Sequence, residues 1–173
     1  GHVWLEQSQA QALDGSRRYA LLGPGVDVSG ADLRMTDLRS IGLQGLDLAG
    51  ARISGIRQEV RDGTAPGTDY NWVGVVKGAE AGTFAMLGPG VVVEADLRGA
   101  QLVDLSLAGT DLSGGTFADT LVYNITDRTG TVLPPGAYEW VDQGGGKELL
   151  AGPGMSLQGA VLDGADFAGK VLD

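Results

Sequence analysis

Apolar residues recur at every fifth position along three stretches of the chain. They are Val28, Leu33, Leu38, Leu43, Leu48 and Ile53 in the first, Leu97, Leu102, Leu107, Leu112, Phe117 and Val122 in the second, and Leu157, Leu162, Phe167 and Leu172 in the third. Two residues before these large positions stands a second position that is often small, as at Ala31, Thr36, Ala95 and Ala165. Both positions of the five-residue unit are predicted to point into a core.

A period of five fits neither regular element. An α-helix turns about 100° per residue, so every fifth side chain would visit all of its faces. A straight strand alternates faces, so a step of five would change sides each time. A chain that bends once in five residues keeps each of these side chains inside, and four bends close a square coil of about twenty residues. The pattern therefore predicts an all-β repeat protein in which successive coils stack.

Glycine supports the bends. The chain has 30 glycines among 173 residues, against a usual share of about 7%. A bend often needs a positive φ, which glycine adopts at no steric cost. Ten glycines stand as the fifth residue of a unit: Gly30, Gly45, Gly50, Gly55, Gly99, Gly109, Gly114, Gly159, Gly164 and Gly169.

The units 31–34, 95–99 and 165–169 read Ala-Asp-Leu-Arg, Ala-Asp-Leu-Arg-Gly and Ala-Asp-Phe-Ala-Gly, and they resemble the Ala-(Asp/Asn)-Leu-x-x motif of pentapeptide-repeat proteins. The resemblance covers sixteen units, about 80 residues. It implies a right-handed quadrilateral β-helix. The small position departs from the motif at Ile41, Leu46, Leu105 and Lys170, where wider or fraying coils are expected.

A longer repeat surrounds these units. Gly-Pro-Gly occurs at 23–25, 88–90 and 152–154, and the three tryptophans stand at Trp4, Trp72 and Trp140. Aromatic and β-branched residues predict strands over 70–76 and 83–87 with a turn at 77–82, and over 138–142 and 148–151 with a turn at 144–146. The first copy has a longer tip, from Glu6 to Arg18. Each insert is therefore predicted to be a β-hairpin that leads into Gly-Pro-Gly.

These two repeats divide the chain into six segments. The predicted order is a partial hairpin with its Gly-Pro-Gly (1–25), block 1 (26–57), a hairpin insert (58–90), block 2 (91–124), a second insert (125–154) and a truncated block 3 (155–173). The hairpins either cap separate blocks or project from one continuous helix, and exposed coil ends favour capping. Both chain ends fall part-way through a repeat, so a longer array is expected.

Composition and charge exclude several function classes. Without cysteine there are no disulfides, thiol nucleophiles or cysteine metal sites. His2 is the sole histidine, so triads that use histidine are excluded. Gly144 to Lys147 departs from a phosphate loop because Glu148 stands where Ser or Thr belongs. The sequence predicts no enzyme, with no catalytic, cofactor-binding or metal residues. A net charge of −10 argues against nucleic acid as a partner. No apolar run is long enough to predict membrane insertion.

Aspartate recurs just before the large position, at Asp27, Asp32, Asp37, Asp47, Asp96, Asp111 and Asp166. The favoured interpretation is that these carboxylates point outward and accept hydrogen bonds from backbone at the bends. The family resemblance implies an alternative, since some acidic members mimic DNA and inhibit gyrase. Mimicry needs columns of acids twenty residues apart, and those columns are broken because Asp32 falls under Arg52 and Asp96 under Thr116.

The predicted function is a non-enzymatic structural or adhesive segment, a stalk, spacer or fibre module, of a larger bacterial surface or secreted protein. The expected partner is another protein or a second copy, bound through coil ends or hairpins. Extracellular or cell-surface placement is favoured, although absent cysteine permits either compartment. The alternative is a discrete protein-binding module that acts as an acidic DNA mimic towards an enzyme such as gyrase.

Overall fold

A computed structural model of the protein describes residues 3–6, 19–22, 27–38, 43, 45–62 and 67–168. Within these ranges the chain is built of strands and has almost no helix, as the sequence predicts. The strands are β1 (Val3–Glu6), β2 (Tyr19–Leu22), β3 (Asn71–Gly74), β4 (Phe84–Leu87), β5 (Gln101–Val103), β6 (Leu121–Ile125), β7 (Glu139–Gly144) and β8 (Lys147–Ala151). One short helix, α1 (Gln58–Asp62), was not predicted.

Three antiparallel hairpins form where the inserts were predicted, from β1 and β2, β3 and β4, and β7 and β8. Strand bounds in the second and third hairpins differ from prediction by at most two residues at either end. The tip of the first hairpin, residues 7–18, lies outside the described residues. The three tryptophans hold the same register: Trp4 pairs with Leu21, Trp72 with Met86, and Trp140 with Leu150.

Each of the second and third hairpins packs a tyrosine ring onto its Gly-Pro-Gly. A Cβ added at Gly88 would collide with the ring of Tyr70, and one at Gly152 would collide with the ring of Tyr138. The Tyr70 hydroxyl donates a hydrogen bond to the Pro89 carbonyl at 3.1 Å. The first glycine of the motif is therefore required by close packing against the tyrosine ring.

The pentapeptide segments pair in parallel at a spacing of about one coil. Asp32 is bridged to Arg52 and Asp96 to Thr116, each twenty residues apart, and β5 pairs in parallel with β6 at the same spacing. Other parallel bridges join residues nineteen or twenty-one apart, such as Asp111 with Val132. Residues about twenty positions apart therefore lie side by side. Most of these pairs are single bridges, because the chain bends about every five residues.

Positive φ angles recur at the fifth residue of the unit. Of the ten glycines predicted to bend the chain, eight have φ between 66° and 86°. Gly114 also lies in a turn but has no positive φ, and a Cβ there would lie 3.1 Å from the Val93 carbonyl oxygen, so this glycine allows a close approach. Gly169 lies outside the described residues. Four other residues at fifth positions also have positive φ: Met35, Asp104, Asp119 and Asn124.

The core lies where the period of five places it. All twelve large residues of the first two blocks are at most 4% exposed. Leu46, bulky at the small position, is also buried, and Leu105 is partly buried. Block 3 differs, because Leu157 and Phe167 are only partly buried and Leu162 is 36% exposed. Ile41, Lys170 and Leu172 lie outside the described residues.

Candidate functional site

The second hairpin has two apolar faces, each packed on a different block. Trp72 and Met86, paired across the strands, lie against the core of block 1. The next pair, Val73 and Ala85, lies with Leu87 against the core of block 2. Because successive residues of a strand point to opposite sides, one hairpin covers the end of block 1 and forms the base of block 2.

The third hairpin repeats this arrangement. Trp140 and Leu150 pack with the core of block 2. On the other side, Val141 and Leu149 pack with Leu157 of block 3. We call the side that carries the tryptophan and its cross-strand partner the tryptophan face. In both hairpins the tryptophan face meets the preceding block.

Backbone hydrogen bonds also cross each junction. The Gly50 amide donates to the Gly90 carbonyl at 2.6 Å, and the Val92 amide donates to the Ala51 carbonyl at 2.8 Å. At the next junction the Asp119 amide donates to the Gly154 carbonyl at 2.6 Å. The second and third hairpins thus cover the ends of the blocks before them. Backbone hydrogen bonds nevertheless join each block directly to the Gly-Pro-Gly segment or block that follows it.

The described part of block 3 exposes two neighbouring apolar side chains. Val161 is 61% exposed and Leu162 is 36% exposed, whereas Leu107, which holds the position of Leu162 in a unit of block 2, is 0% exposed. Leu157 and Phe167 instead pack with Val141 and Leu149 of the third hairpin. We call the exposed pair Val161 and Leu162 the apolar patch of block 3, and it is a candidate binding surface within the described residues.

The recurring aspartates act in the way the favoured interpretation predicts. In each case a carboxylate oxygen accepts a hydrogen bond from the backbone amide two residues later. The described examples are Asp27, Asp32, Asp47, Asp96, Asp111 and Asp166. These side chains therefore stabilise the bends.

Charges of both signs share one side of the stack. Arg34 bridges Asp32 at 2.6 Å and Glu94 at 3.2 Å, and Arg52 bridges the same Glu94 at 2.5 Å. The hydrogen bond from Arg34 lowers the pKa of Asp32. A similar bond from Arg98 holds the pKa of Asp96 well below its usual value. Arginines therefore interrupt the acidic columns, as expected from the sequence.

The described ranges contain no cluster of three or more His, Asp or Glu side chains that could hold a metal ion. An open groove of about 390 Å³ is lined by Glu94, Asp96 and Arg98, whose charges are already paired with protein groups. Gly145 and Gly146 form the turn between β7 and β8, with φ of 65° and 75°, so the glycine run is a hairpin turn.

No helix in the part of the chain described is long and apolar enough to cross a membrane.

Sequence reasoning found the hairpins but missed that both faces of the second and third hairpins are buried. The signal was present, since adjacent residues such as Trp72 and Val73 are both apolar and alternation places them on opposite sides. Comparisons with known proteins add nothing to this picture: no family model, no curated protein and no solved structure matches the chain.

Proposed function

We propose that this chain is a non-enzymatic structural segment, a stiff stalk, spacer or fibre module of a larger bacterial surface or secreted protein. The observation that carries the proposal is that the second and third hairpins are buried on both faces. A hairpin buried on both sides leaves little freedom for one block to swing against the next, because such motion would expose apolar residues of both cores. A stack held in this way keeps its two ends at a fixed separation.

We further propose that each block is a right-handed quadrilateral β-helix of the pentapeptide-repeat type. Three observations support it: the parallel bridges at a spacing of about twenty residues and the burial of every fifth side chain in blocks 1 and 2, and the positive φ at fifth positions in all three blocks. Stacked coils of this kind rise by roughly 4.8 Å each, the spacing of neighbouring strands.

The spacer proposal can be tested with two spin labels, because the chain has no cysteine of its own. Ala49 and Gln158 are exposed and lie in blocks 1 and 3. With Ala49→Cys and Gln158→Cys in one chain, double electron–electron resonance should give a single narrow distance at low protein concentration. A pair within block 2, Ser113→Cys with Ala118→Cys, gives the width expected for a rigid unit. A distribution several times broader for the 49–158 pair would refute the stiff spacer.

The alternative function, an acidic DNA mimic, stays a prediction with a direct assay. Arg34 and Arg52 lie among the acids that mimicry would require to stand alone, and both pair with Glu94. The purified chain should therefore leave gyrase supercoiling unchanged at micromolar concentration. Inhibition there, lost in Asp96→Asn and Asp111→Asn variants, would favour the binding module over the spacer.

A further inference from the structure

Two polar residues of block 2 lie where glycine bends the chain elsewhere. Asp104 and Asn124 stand at the fifth position of their units, and both have a φ of 55°. Aspartate and asparagine tolerate this conformation better than most residues, but glycine adopts it at less cost. Residues held in costly backbone conformations concentrate at functional sites, so the side chains of this pair are candidates for chemistry.

The stacking of coils brings these two side chains together. Asp104 and Asn124 directly follow Val103 and Tyr123, which pair in the parallel strands β5 and β6. The Asn124 Nδ2 donates a hydrogen bond to Asp104 Oδ1 at 3.0 Å. The backbone amide of Asn124 donates to Gln143 Oε1, also at 3.0 Å. The carboxamide of one coil is therefore held against the carboxylate of the preceding coil.

A lysine of the third hairpin completes the group. Lys147 is the first residue of β8, and its Nζ donates to the same Asp104 oxygen at 3.2 Å. The charged contacts described around it are this pair and the neighbouring pair of Glu148 with Arg128. The Lys147 amine and the Asn124 carboxamide thus contact a single carboxylate oxygen from two sides. A nucleophile, an electrophile and a proton acceptor lie together.

We propose that Lys147 and Asn124 form an amide cross-link between their side chains, and that Asp104 moves the proton. The neutral Nζ of Lys147 attacks Cγ of Asn124, and a bond forms between these two atoms. Asp104 takes a proton from the attacking nitrogen and passes it to Nδ2 of the carboxamide. The bond between Cγ and Nδ2 then breaks and ammonia leaves, so the step needs no further reactant.

The cross-link would join the third hairpin to block 2 by a covalent bond. The strands β6 and β8 are neighbours, with Ile125 paired to Glu148, so no distant segment has to move for the bond to form. The covalent loop would enclose residues 124–147 and resist separation of the hairpin from the block. This inference goes beyond the spacer proposal, and each stands or falls without the other.

A second pair of lysine and aspartate provides a matched control within the chain. Lys77 Nζ contacts Asp119 Oδ2 at 2.9 Å, and Asp119 also stands at a fifth position, with a φ of 61°. The side chains of this pair are 47% and 71% exposed, compared with 43% and 63% for Lys147 and Asp104. The other asparagine of the chain, Asn71, donates instead to the Ser106 carbonyl. Lys77 should therefore remain a free amine.

Peptide mapping by mass spectrometry of the whole folded chain tests the proposal. A lysine amine attacks only when it is neutral, and the neutral share rises about tenfold per pH unit below about pH 10. The product should therefore form about a hundredfold faster at about pH 9 than at about pH 7. Trypsin should then release residues 99–128 joined to residues 129–170, lighter by one ammonia, because a linked Lys147 is not cleaved.

Variants separate this cross-link from other losses of ammonia. Lys147→Arg keeps the positive charge and should abolish the joined peptide. Asp104→Gly suits the positive φ but removes the carboxylate, so the joined peptide should form at least tenfold more slowly. Lys77→Arg should leave the rate unchanged. Protein unfolded in urea should not form the joined peptide, because the three side chains are then no longer held together.

Several results would overturn the inference. One is a folded protein that keeps its full mass through prolonged incubation at about pH 9. Another is a loss of ammonia that persists in Lys147→Arg, because it would come from ring closure of Asn124 on its own backbone. Equal rates in Asp104→Gly and the unmodified protein, or equal linking of Lys77, would contradict the assigned roles and overturn it as well.

Discussion

Leu107 and Leu162 occupy the same position of the five-residue unit but differ in what covers them. Leu107 in block 2 is 0% exposed, whereas Leu162 in block 3 is 36% exposed. Replacing a buried leucine by alanine removes its transfer free energy and leaves a cavity, which together cost about 3–4 kcal/mol. At Leu162 part of the side chain is already in water and no closed cavity forms, so the cost is about 1 kcal/mol.

Urea denaturation of Leu107→Ala and Leu162→Ala measures this difference. With a slope of about 2 kcal/mol per molar urea, Leu107→Ala should lower the midpoint by about 1.5–2 M and Leu162→Ala by about 0.5 M. Equal shifts for the two variants would refute the reasoning, because position in the unit would then matter and coverage by the next layer would not.

Two further predictions concern packing and pH. Gly88→Ala should lower the melting temperature more than Gly82→Ala, because both residues have positive φ but only a Cβ at Gly88 meets the Tyr70 ring; equal losses would contradict the tyrosine contact. The lowered pKa of Asp96 stabilises the fold above its unfolded pKa of about 3.9, and this contribution is lost as the pH falls through the folded value. In Asp96→Asn the urea midpoint should therefore fall less steeply below about pH 4 than in the unmodified protein. An unchanged pH dependence in that range would count against the Arg98 hydrogen bond.

Much of the local structure follows from single residues and their spacing. The bends at Gly30 or Gly99 need a conformation that glycine adopts freely, so their positions can be read from the sequence. Hairpins could be placed to within two residues because their strands combine aromatic and β-branched residues with a glycine turn. Gly114 lies in a turn without a positive φ, and its close approach to the backbone of Val93 could not be read from the sequence.

Other features depend on contacts between distant segments. The helix α1 is five residues long, too short for any periodic pattern to reveal. The sequence marks Leu107 and Leu162 as equivalent, yet Leu107 is buried and Leu162 is exposed, and the difference depends on which distant segments pack over each side chain.

The sequence by itself therefore determined where this chain bends, which side chains turn inward and where the hairpins stand, since each depends on the conformational preference of a few adjacent residues. The tertiary structure alone decided that the second and third hairpins are buried on both faces and that Leu162 is more exposed than its equivalents in blocks 1 and 2. Burial is a property of pairs of surfaces, and residues such as Trp72 and Leu38 that meet in one core are far apart along the chain.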